Sequence, residues 1–139
     1  MYLTRLIYVS TLSAECDQQA LDEILQISRV NNQKNHLTGL LSHNNRYFLQ
    51  CIEGARAKVN EAYNRILSDP RHSRVVILQY QEITEREFGD WSMGEIPQCY
   101  LTALLNLQFS GSSEFLPYDL TGESAYRMLR QLKQKLPSE

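Results

Sequence analysis

Hydrophobic residues recur along this chain with two spacings, and the spacing separates predicted strands from predicted helices. The short, apolar and β-prone run Leu3–Ser10 predicts a first strand, which the polar loop Thr11–Gln18 follows. Over residues 19–31 the apolar positions fall at i, i+3, i+4 and i+7, the spacing of one face of an amphipathic helix. This stripe consists of Leu21, Ile24, Leu25 and Ser28, and the asparagines from Asn31 onward predict the end of the helix.

The next segment predicts a β-hairpin and a second helix. Two apolar runs, Leu37–Ser42 and Tyr47–Ile52, are joined by residues 43–46, whose two asparagines tolerate positive φ. A second helical pattern follows over residues 55–68 and ends at Asp69–Pro70, because the residue before proline avoids the α region. Its apolar stripe consists of Val59, Ala62, Tyr63, Ile66 and Leu67.

The order of these elements predicts the fold. A fourth strand is predicted at Val75–Tyr80, and a fifth is predicted to begin at Trp91. The order β-α-β-β-α-β-β is typical of the ferredoxin-like fold, an α+β architecture with two helices on one face of a sheet. Residues 1–97 would form this domain. Residues 98–139 would form an extension of two helices, near 101–107 and 122–136, that packs on the other face of the sheet.

Composition and charge narrow the classes of function. The chain has 139 residues, of which 42% are hydrophobic and 22% charged, a composition typical of one globular domain rather than of a disordered segment. Fourteen basic and sixteen acidic residues give a net charge of −2, so neither nucleic acid nor a membrane is expected as the main partner. The N-terminal residues lack the apolar run of a signal peptide, and we expect a cytoplasmic protein.

Several common kinds of catalytic or metal site are not indicated. The sequence has no GxGxxG, P-loop, HExxH or nucleophile-elbow motif. Its three histidines have no metal-ligand spacing, and its three cysteines indicate neither a disulfide framework nor a zinc site. We interpret Cys51, in the third strand, as a buried and inert thiol. Neither hydrolysis nor metal binding is therefore expected.

Polar side chains occur where a core is predicted. Tyr8 and Gln50 each lie in the middle of an apolar strand, and a buried amide without a partner costs about 1–3 kcal/mol. The first and third strands of a ferredoxin-like sheet are neighbours, so the two side chains could simply satisfy each other in a core, while Asn31 and Asn32 could simply end a helix. Together, however, these groups would surround a pocket between two helices, and their paired donors and acceptors suit an imide-like ring edge such as that of a flavin.

Six segments of the chain resemble the BLUF family, blue-light sensors that use flavin. The resemblance covers about residues 3–95, and the segments agree with the family in order and spacing. These segments are Arg5–Tyr8, Asn31–Asn32, Leu37–Leu41, Phe48–Gly54, Ile66–His72 and Phe88–Met93. The two predicted helices of residues 98–139 are similar in pattern to those of the short, stand-alone members of the family.

The resemblance implies roles for individual residues. Tyr8 and Gln50 match the photoactive pair of the family, and Asn32 matches the residue that anchors the flavin ring edge. Trp91 and Met93 match a pair that relays the signal, although core packing would explain both equally well, and which of them lies beside Gln50 in the dark is left open. Further flavin contacts are implied for Asn31, Ile24, Ser28 and Ile66, and for Arg65, Asp69, Arg71 and His72 at the polar rim or side chain of the flavin.

The resemblance also implies a mechanism. Blue light makes the flavin a strong oxidant, and Tyr8 gives it an electron and then a proton. Recombination leaves Gln50 rotated or tautomerised, with a new hydrogen bond to the flavin C4 carbonyl, and no substrate is turned over. The expected cofactor is FAD, with FMN as the alternative. The expected partners are a separate signalling protein and further copies of the chain in a homo-oligomer.

Alternative interpretations remain open for the function and for one residue pair. An acylphosphatase-like enzyme would need an arginine in a phosphate-binding loop, whereas Thr11–Gln18 contains neither a basic residue nor a glycine. A cofactor-free module that binds a protein through its tail helices is the second alternative. At the residue level, Arg65 and Asp69 could form a solvated i, i+4 pair instead of contacting a ligand.

Overall fold

A mixed β-sheet lies at the centre of the protein. The computed structural model describes residues 2–137. Within these residues the sheet has five strands, β1 (Leu3–Leu12), β2 (Thr38–His43), β3 (Tyr47–Ala55), β4 (His72–Ile83) and β5 (Gly94–Ile96). The strands lie in the order β4-β1-β3-β2-β5, in which β5 runs parallel to β2 and the other neighbours are antiparallel.

Helices pack on both faces of this sheet. They are α1 (Gln18–Asn35), α2 (Arg56–Leu67), α3 (Ala103–Phe109) and α4 (Gly122–Lys133), and 3-10 turns occur at Gln98–Tyr100 and Pro117–Asp119. The helices α1 and α2 cover one face, called here the helix face, and α3 and α4 cover the other, the tail face. The α+β, ferredoxin-like fold predicted from the sequence is confirmed, including the position of the two tail helices.

The alternation of side chains along β1 explains why helices pack on both faces of the sheet. Successive residues of a strand point to opposite faces. Ile7 and Val9 point to the tail face, whereas Leu6 and Tyr8 point to the helix face, and all four are buried. A strand that is apolar on both faces loses this burial if either layer of helices is removed.

The first helix extends about one turn further than the asparagine pattern predicts. The expectation that Asn31 and Asn32 end the helix is wrong, because α1 continues to Asn35 and is capped by His36 in the left-handed conformation, with a φ of 57°. The side chain of Asn32 donates to the backbone carbonyl of Ser92 at 2.6 Å. An asparagine whose amide is bonded elsewhere does not compete for the backbone groups of its own helix.

The fifth strand begins at Gly94, so the expectation that it begins at Trp91 is also wrong. Trp91 packs in the core of the tail face, whereas Met93 packs in a core of the helix face. In a regular strand, residues two positions apart point to the same face. The opposite orientations of Trp91 and Met93 therefore require that the chain turns between them, before β5 begins.

The helix α4 buries its apolar stripe against the tail face. Ala125, Leu129 and Leu132 are fully buried, and Leu136 packs on the same cluster although the helix ends at Lys133, three residues earlier than predicted. A Cβ added at Gly122 would clash with the carbonyl oxygen of Leu78, so a glycine lets α4 begin directly against β4. The tail thus shares one hydrophobic core with β1 and β3.

Candidate functional site

Tyr8 and Gln50 form the centre of the candidate site. They lie directly opposite each other on the adjacent strands β1 and β3, and both side chains are buried on the helix face. The phenol of Tyr8 donates a hydrogen bond to Oε1 of Gln50. The neighbouring strand positions that the sequence suggested are therefore confirmed as a direct side-chain contact.

The environment of Tyr8 keeps its phenol protonated. Burial, followed by the negative charge of Asp69 and the nearby Tyr63, raises the pKa of Tyr8 well above its ordinary value. The ring of Tyr63 on α2 meets the Tyr8 ring edge to face, with 6.1 Å between the centroids. The phenol of Tyr8 is therefore neutral at pH 7 and can donate a hydrogen bond.

The other end of the Gln50 amide contacts Met93. Nε2 of Gln50 donates to the sulfur of Met93 at 3.4 Å, and both side chains are buried. Met93, and not Trp91, is therefore the neighbour of Gln50 in this structure. Thioether sulfur is a weak acceptor, so this bond is easily exchanged for a stronger one.

Trp91 lies on the tail face, away from the Tyr8–Gln50 pair. Its indole Nε1 donates to the backbone carbonyl of Pro137 at 2.8 Å, beyond the end of α4. Trp91 is also part of the core that contains Leu129 and Leu132. The segment from Trp91 to Met93 consequently contacts the site with one residue and the tail with another.

A cavity opens beside Gln50 between α1 and α2, with a volume of about 210 Å³. All ten residues for which the sequence analysis expects flavin contacts line it: Ile24, Ser28, Asn31, Asn32, Gln50, Arg65, Ile66, Asp69, Arg71 and His72. Tyr8 lines it as well. The structure therefore brings together residues from α1, β1, β3, α2 and the start of β4.

Four further residues of the cavity wall were missed by the sequence analysis, namely Ile27, Phe48, Ile52 and Ala62. Each of them carries a signal that could have identified it. Phe48 and Ile52 are two positions from Gln50 and so share its face of β3. Ile27 follows Ile24 by three residues on α1, which is also the spacing of neighbours on one helix face. Ala62 lies in the apolar stripe of the second helix.

The rim of the cavity is polar and contains an ion pair between Arg71 and Asp69. The guanidinium of Arg71 donates from Nε and Nη2 to the two carboxylate oxygens of Asp69, at 2.9 and 2.7 Å. These bonds lower the pKa of Asp69, against the opposing effect of its partial burial. Asp69 thus pairs with Arg71 and not with Arg65, so the alternative of an i, i+4 pair is wrong. Arg65 lies exposed on the last turn of α2.

His72 is a buried residue of the cavity wall and lies beside Tyr8. Its Nδ1 lies 2.9 Å from the hydroxyl oxygen of Ser10, and its ring centroid lies 6.5 Å from that of Tyr8. Burial lowers the pKa of His72 below its ordinary value of 6.5, so the imidazole is neutral at pH 7. A neutral ring beside Tyr8 can accept or donate a hydrogen bond without adding a charge to the site.

Two other kinds of site are absent from the part of the chain that the structure describes. Over residues 2–137, no helix is both long and apolar enough to cross a membrane. In the same range, no cluster of three or more histidine, cysteine or acidic side chains is arranged to hold a metal ion.

Known proteins are similar to this chain in sequence and in fold. A family model described as BLUF, sensors of blue-light using FAD, matches residues 3–94. The photoactivated adenylate cyclase subunit beta of Euglena gracilis is 34% identical over 93 residues, which are 66% of this chain but 11% of that relative. The chain therefore spans only a small part of this curated relative.

Two solved structures resemble the protein over nearly its whole length. The ground state of BlsA is 28% identical with a TM-score of 0.83, and the match covers 99% of this chain and 91% of that one. The dark state of BlrB, a BLUF protein, is 30% identical with a TM-score of 0.76, and the match covers 94% of both chains. Together with the family match over most of the strands and both helices of the helix face, these similarities show that the chain belongs to the BLUF family of blue-light sensors that use FAD.

Proposed function

We propose that the cavity beside Gln50 holds the ring system of a flavin, FAD rather than FMN, and that Tyr8 and Gln50 are its photoactive pair. The observation that carries this proposal is the buried Tyr8–Gln50 hydrogen bond at the inner wall of the cavity. The volume of about 210 Å³ is smaller than the ~300–1,000 Å³ of a pocket that encloses a whole drug-sized ligand. It suits a planar ring system whose side chain extends past the rim.

The lining chemistry fits a flavin ring. Ile24 and Ile66 come from the two facing helices and supply apolar walls for a flat ring. The carboxamides of Asn31, Asn32 and Gln50 supply donors and acceptors side by side, which match a ring edge with an N–H between two carbonyls. The Asn32 amide uses one donor on Ser92, which leaves its oxygen available for such an N–H. Arg65 and His72 at the rim would meet the flavin side chain.

The light reaction is assigned to two side chains. A bound flavin that has absorbed blue light supplies an oxidising partner within the cavity. Tyr8 gives up an electron and its phenolic proton, and its hydrogen bond to Gln50 is thereby broken. The Gln50 amide then exchanges its partners at little cost, because one of them is only the sulfur of Met93. Return of the electron and the proton to Tyr8 leaves no net redox change, so no substrate is consumed.

The signal leaves the site through the segment before β5. Met93 contacts Gln50, and Trp91 contacts the tail at Pro137, so a movement of the Gln50 amide has a short path to the tail face. Exchange of a few hydrogen bonds shifts a conformational equilibrium by about 1–3 kcal/mol at most. We assign the output to binding of a separate protein rather than to catalysis, since the residues of the site serve the light reaction.

Absorption spectroscopy of the purified full-length protein tests this function. We expect a yellow protein that releases flavin on denaturation and shows a red shift under blue light that reverses in the dark. Tyr8→Phe and Gln50→Ala should keep the flavin and lose the shift, whereas the control Tyr63→Phe, which removes a neighbouring phenol that is not bonded to Gln50, should keep it. A colourless protein that releases no flavin would contradict the proposal and favour a cofactor-free binding module.

A further inference from the structure

Two leucines protrude from α3, a tail helix without a charged residue. Leu104 is 81% exposed and Leu107 is 53% exposed, so neither is held in the core of the tail face. Their spacing of three residues places them on one side of the helix. Isolated exposed leucines are common on protein surfaces, but an adjacent pair on an uncharged helix forms an apolar ridge that a partner can cover.

A groove runs between α3 and α4 beside this ridge. The side chains of Gln108 on α3 and Gln131 on α4 donate to each other at 2.9 and 3.1 Å, which fixes the two helices together. The groove has a volume of about 400 Å³ and is lined by Gln108, Phe109, Arg127, Arg130, Gln131 and Gln134. We call it the tail groove. Since Gln108 follows Leu104 by one turn of α3, the leucine ridge leads directly into it.

The charge of the tail groove has one sign. Both of its ionisable lining residues are arginines. Arg127 pairs with Glu123 on the solvent side of α4, where both side chains are largely exposed and such a pair contributes little. Arg130 lies over the ring of Tyr126 at 5.3 Å, and its charge is one of those that lower the pKa of Glu87, whose carboxylate is paired with Lys133. The Arg130 side chain is exposed and makes no direct salt bridge among residues 2–137, so its guanidinium can pair with a carboxylate from outside the chain.

We propose that the leucine ridge and the tail groove bind an acidic amphipathic helix of a separate protein. This proposal rests on the proposed function, because it names the chemistry of the partner that receives the light signal. The leucine ridge offers an apolar contact for the i, i+3, i+4 anchors of a partner helix that lies along the groove. Glutamate or aspartate on the flanks of that helix would pair with Arg127 and Arg130.

Charge argues against a second copy of the chain as the occupant, and shape argues against a membrane. A second copy of the chain that met this one through the same surface would bring the arginines of the two tail grooves together, and their repulsion would oppose the contact. An anionic membrane would pair with the arginines, but a flat lipid surface would leave the concave groove unfilled. Both occupants remain measurable outcomes of the experiment below.

Binding of synthetic peptides to the full-length, flavin-loaded protein tests the proposal. One probe is an amphipathic helix of leucine and glutamate, and the matched probe has lysine in place of every glutamate. We expect the leucine–glutamate peptide to bind, with an affinity that falls as salt is added. Leu104→Glu and Arg130→Glu should each weaken binding by about tenfold or more. Leu67→Glu on α2 is the matched control, because Leu67 is 52% exposed and should be replaceable without effect.

Each other outcome overturns the proposal. Equal binding of the leucine–lysine peptide, or equal loss of binding in Leu67→Glu, would contradict it. Self-association that Leu104→Glu abolishes would assign the surface to a second copy, and binding to anionic phospholipid vesicles in place of the peptide would assign it to a membrane. The blue-light red shift, recorded on the same samples, separates the two proposals. A missing shift refutes the sensor function, whereas a normal shift without peptide binding refutes only the docking site.

Discussion

Arg29 on α1 holds the backbone of Met93: its Nε donates to the Met93 carbonyl oxygen at 3.0 Å. One turn further along the helix, Asn32 donates to the carbonyl of Ser92 at 2.6 Å. The two bonds fasten the segment that places the Met93 sulfur beside Gln50. The carbonyls of Ser92 and Met93 lie before the first residue pair that joins β5 to β2. Side chains of α1 therefore donate hydrogen bonds to these two carbonyls, as backbone N–H groups of a neighbouring strand do elsewhere in the sheet.

Removal of the Arg29 contact should loosen this segment. In Arg29→Gln the shorter side chain no longer reaches the Met93 carbonyl, and loss of a partly exposed bond of this kind costs about 0.5–1.4 kcal/mol. Amides of β5 should then exchange with solvent about two- to tenfold faster, which hydrogen exchange read by mass spectrometry measures. Arg46→Gln is the control, since Arg46 lies in the β2–β3 turn over the Tyr47 ring. Equal exchange in the two variants would show that Arg29 does not hold the segment.

Asn32 is expected to contribute to flavin affinity more than to the fold. Asn32→Ala removes a carboxamide from the cavity wall, and one hydrogen bond contributes about 0.5–1.5 kcal/mol, so flavin should bind about two- to tenfold more weakly. Titration of flavin into the flavin-free protein measures this affinity. The control is Asn35→Ala, on the last residue of the same helix. Unchanged flavin affinity in Asn32→Ala would show that Asn32 does not contact the flavin and that its side chain serves only the hydrogen bond to Ser92.

The central part of the site could be predicted from local pattern alone. Tyr8 and Gln50 each lie near the middle of an apolar strand, and the order of elements makes these two strands neighbours. This indicated that the two side chains meet, and the register pairs them directly. The apolar stripes of the two helices likewise indicated which faces of α1 and α2 border the cavity. These features depend on the periods of helices and strands, which the sequence displays residue by residue.

The features that could not be predicted depend on partners distant in sequence or on a choice between nearby ones. Asn32 does not end its helix, because its amide bonds Ser92, sixty residues away. Asp69 has arginines on both sides in sequence, and the turn before β4 brings Arg71 rather than Arg65 into bidentate contact. The orientations of Trp91 and Met93 depend on how the chain turns before β5. Contacts in the folded protein determine these three features, and the secondary-structure propensity of the residues does not indicate those contacts.

The packing of α4 predicts that the tail supports the fold as well as any partner. Leu129 is fully buried against the tail face, so Leu129→Ala should lower the free energy of unfolding by about 2–5 kcal/mol. Leu67→Ala, on a half-exposed side chain, should change it by about 0.5 kcal/mol or less. Urea unfolding curves of both variants give the comparison. A loss below about 1 kcal/mol for Leu129→Ala would mean that the tail can leave the sheet without unfolding it.

Glu87 and Lys133 join the loop before β5 to the tail helix and should make stability depend on pH. Partial burial acts to raise the pKa of Glu87, but hydrogen bonds from Lys133 and Tyr126 outweigh it, and the net pKa lies below the ordinary 4.5. A carboxyl group with a lowered folded-state pKa stabilises the fold above its unfolded-state pKa, and this contribution is lost as the pH falls through the folded-state value.

Lys133→Met removes one of these donors while keeping the aliphatic stem. The variant should therefore be less stable than the wild type above pH 4.5, and the difference should shrink as the pH falls below 4.5 and Glu87 becomes protonated in both proteins. Urea midpoints measured on both sides of this pH give the two differences. Lys58→Met is the matched control, because it removes an exposed pair with Glu61 at 3.4 Å and should show little effect at any pH. A deficit for Lys133→Met that stays constant with pH would assign its effect to the lost bond with the Glu87 backbone carbonyl or to the lost cation–π contact with Phe88, rather than to the charge of Glu87.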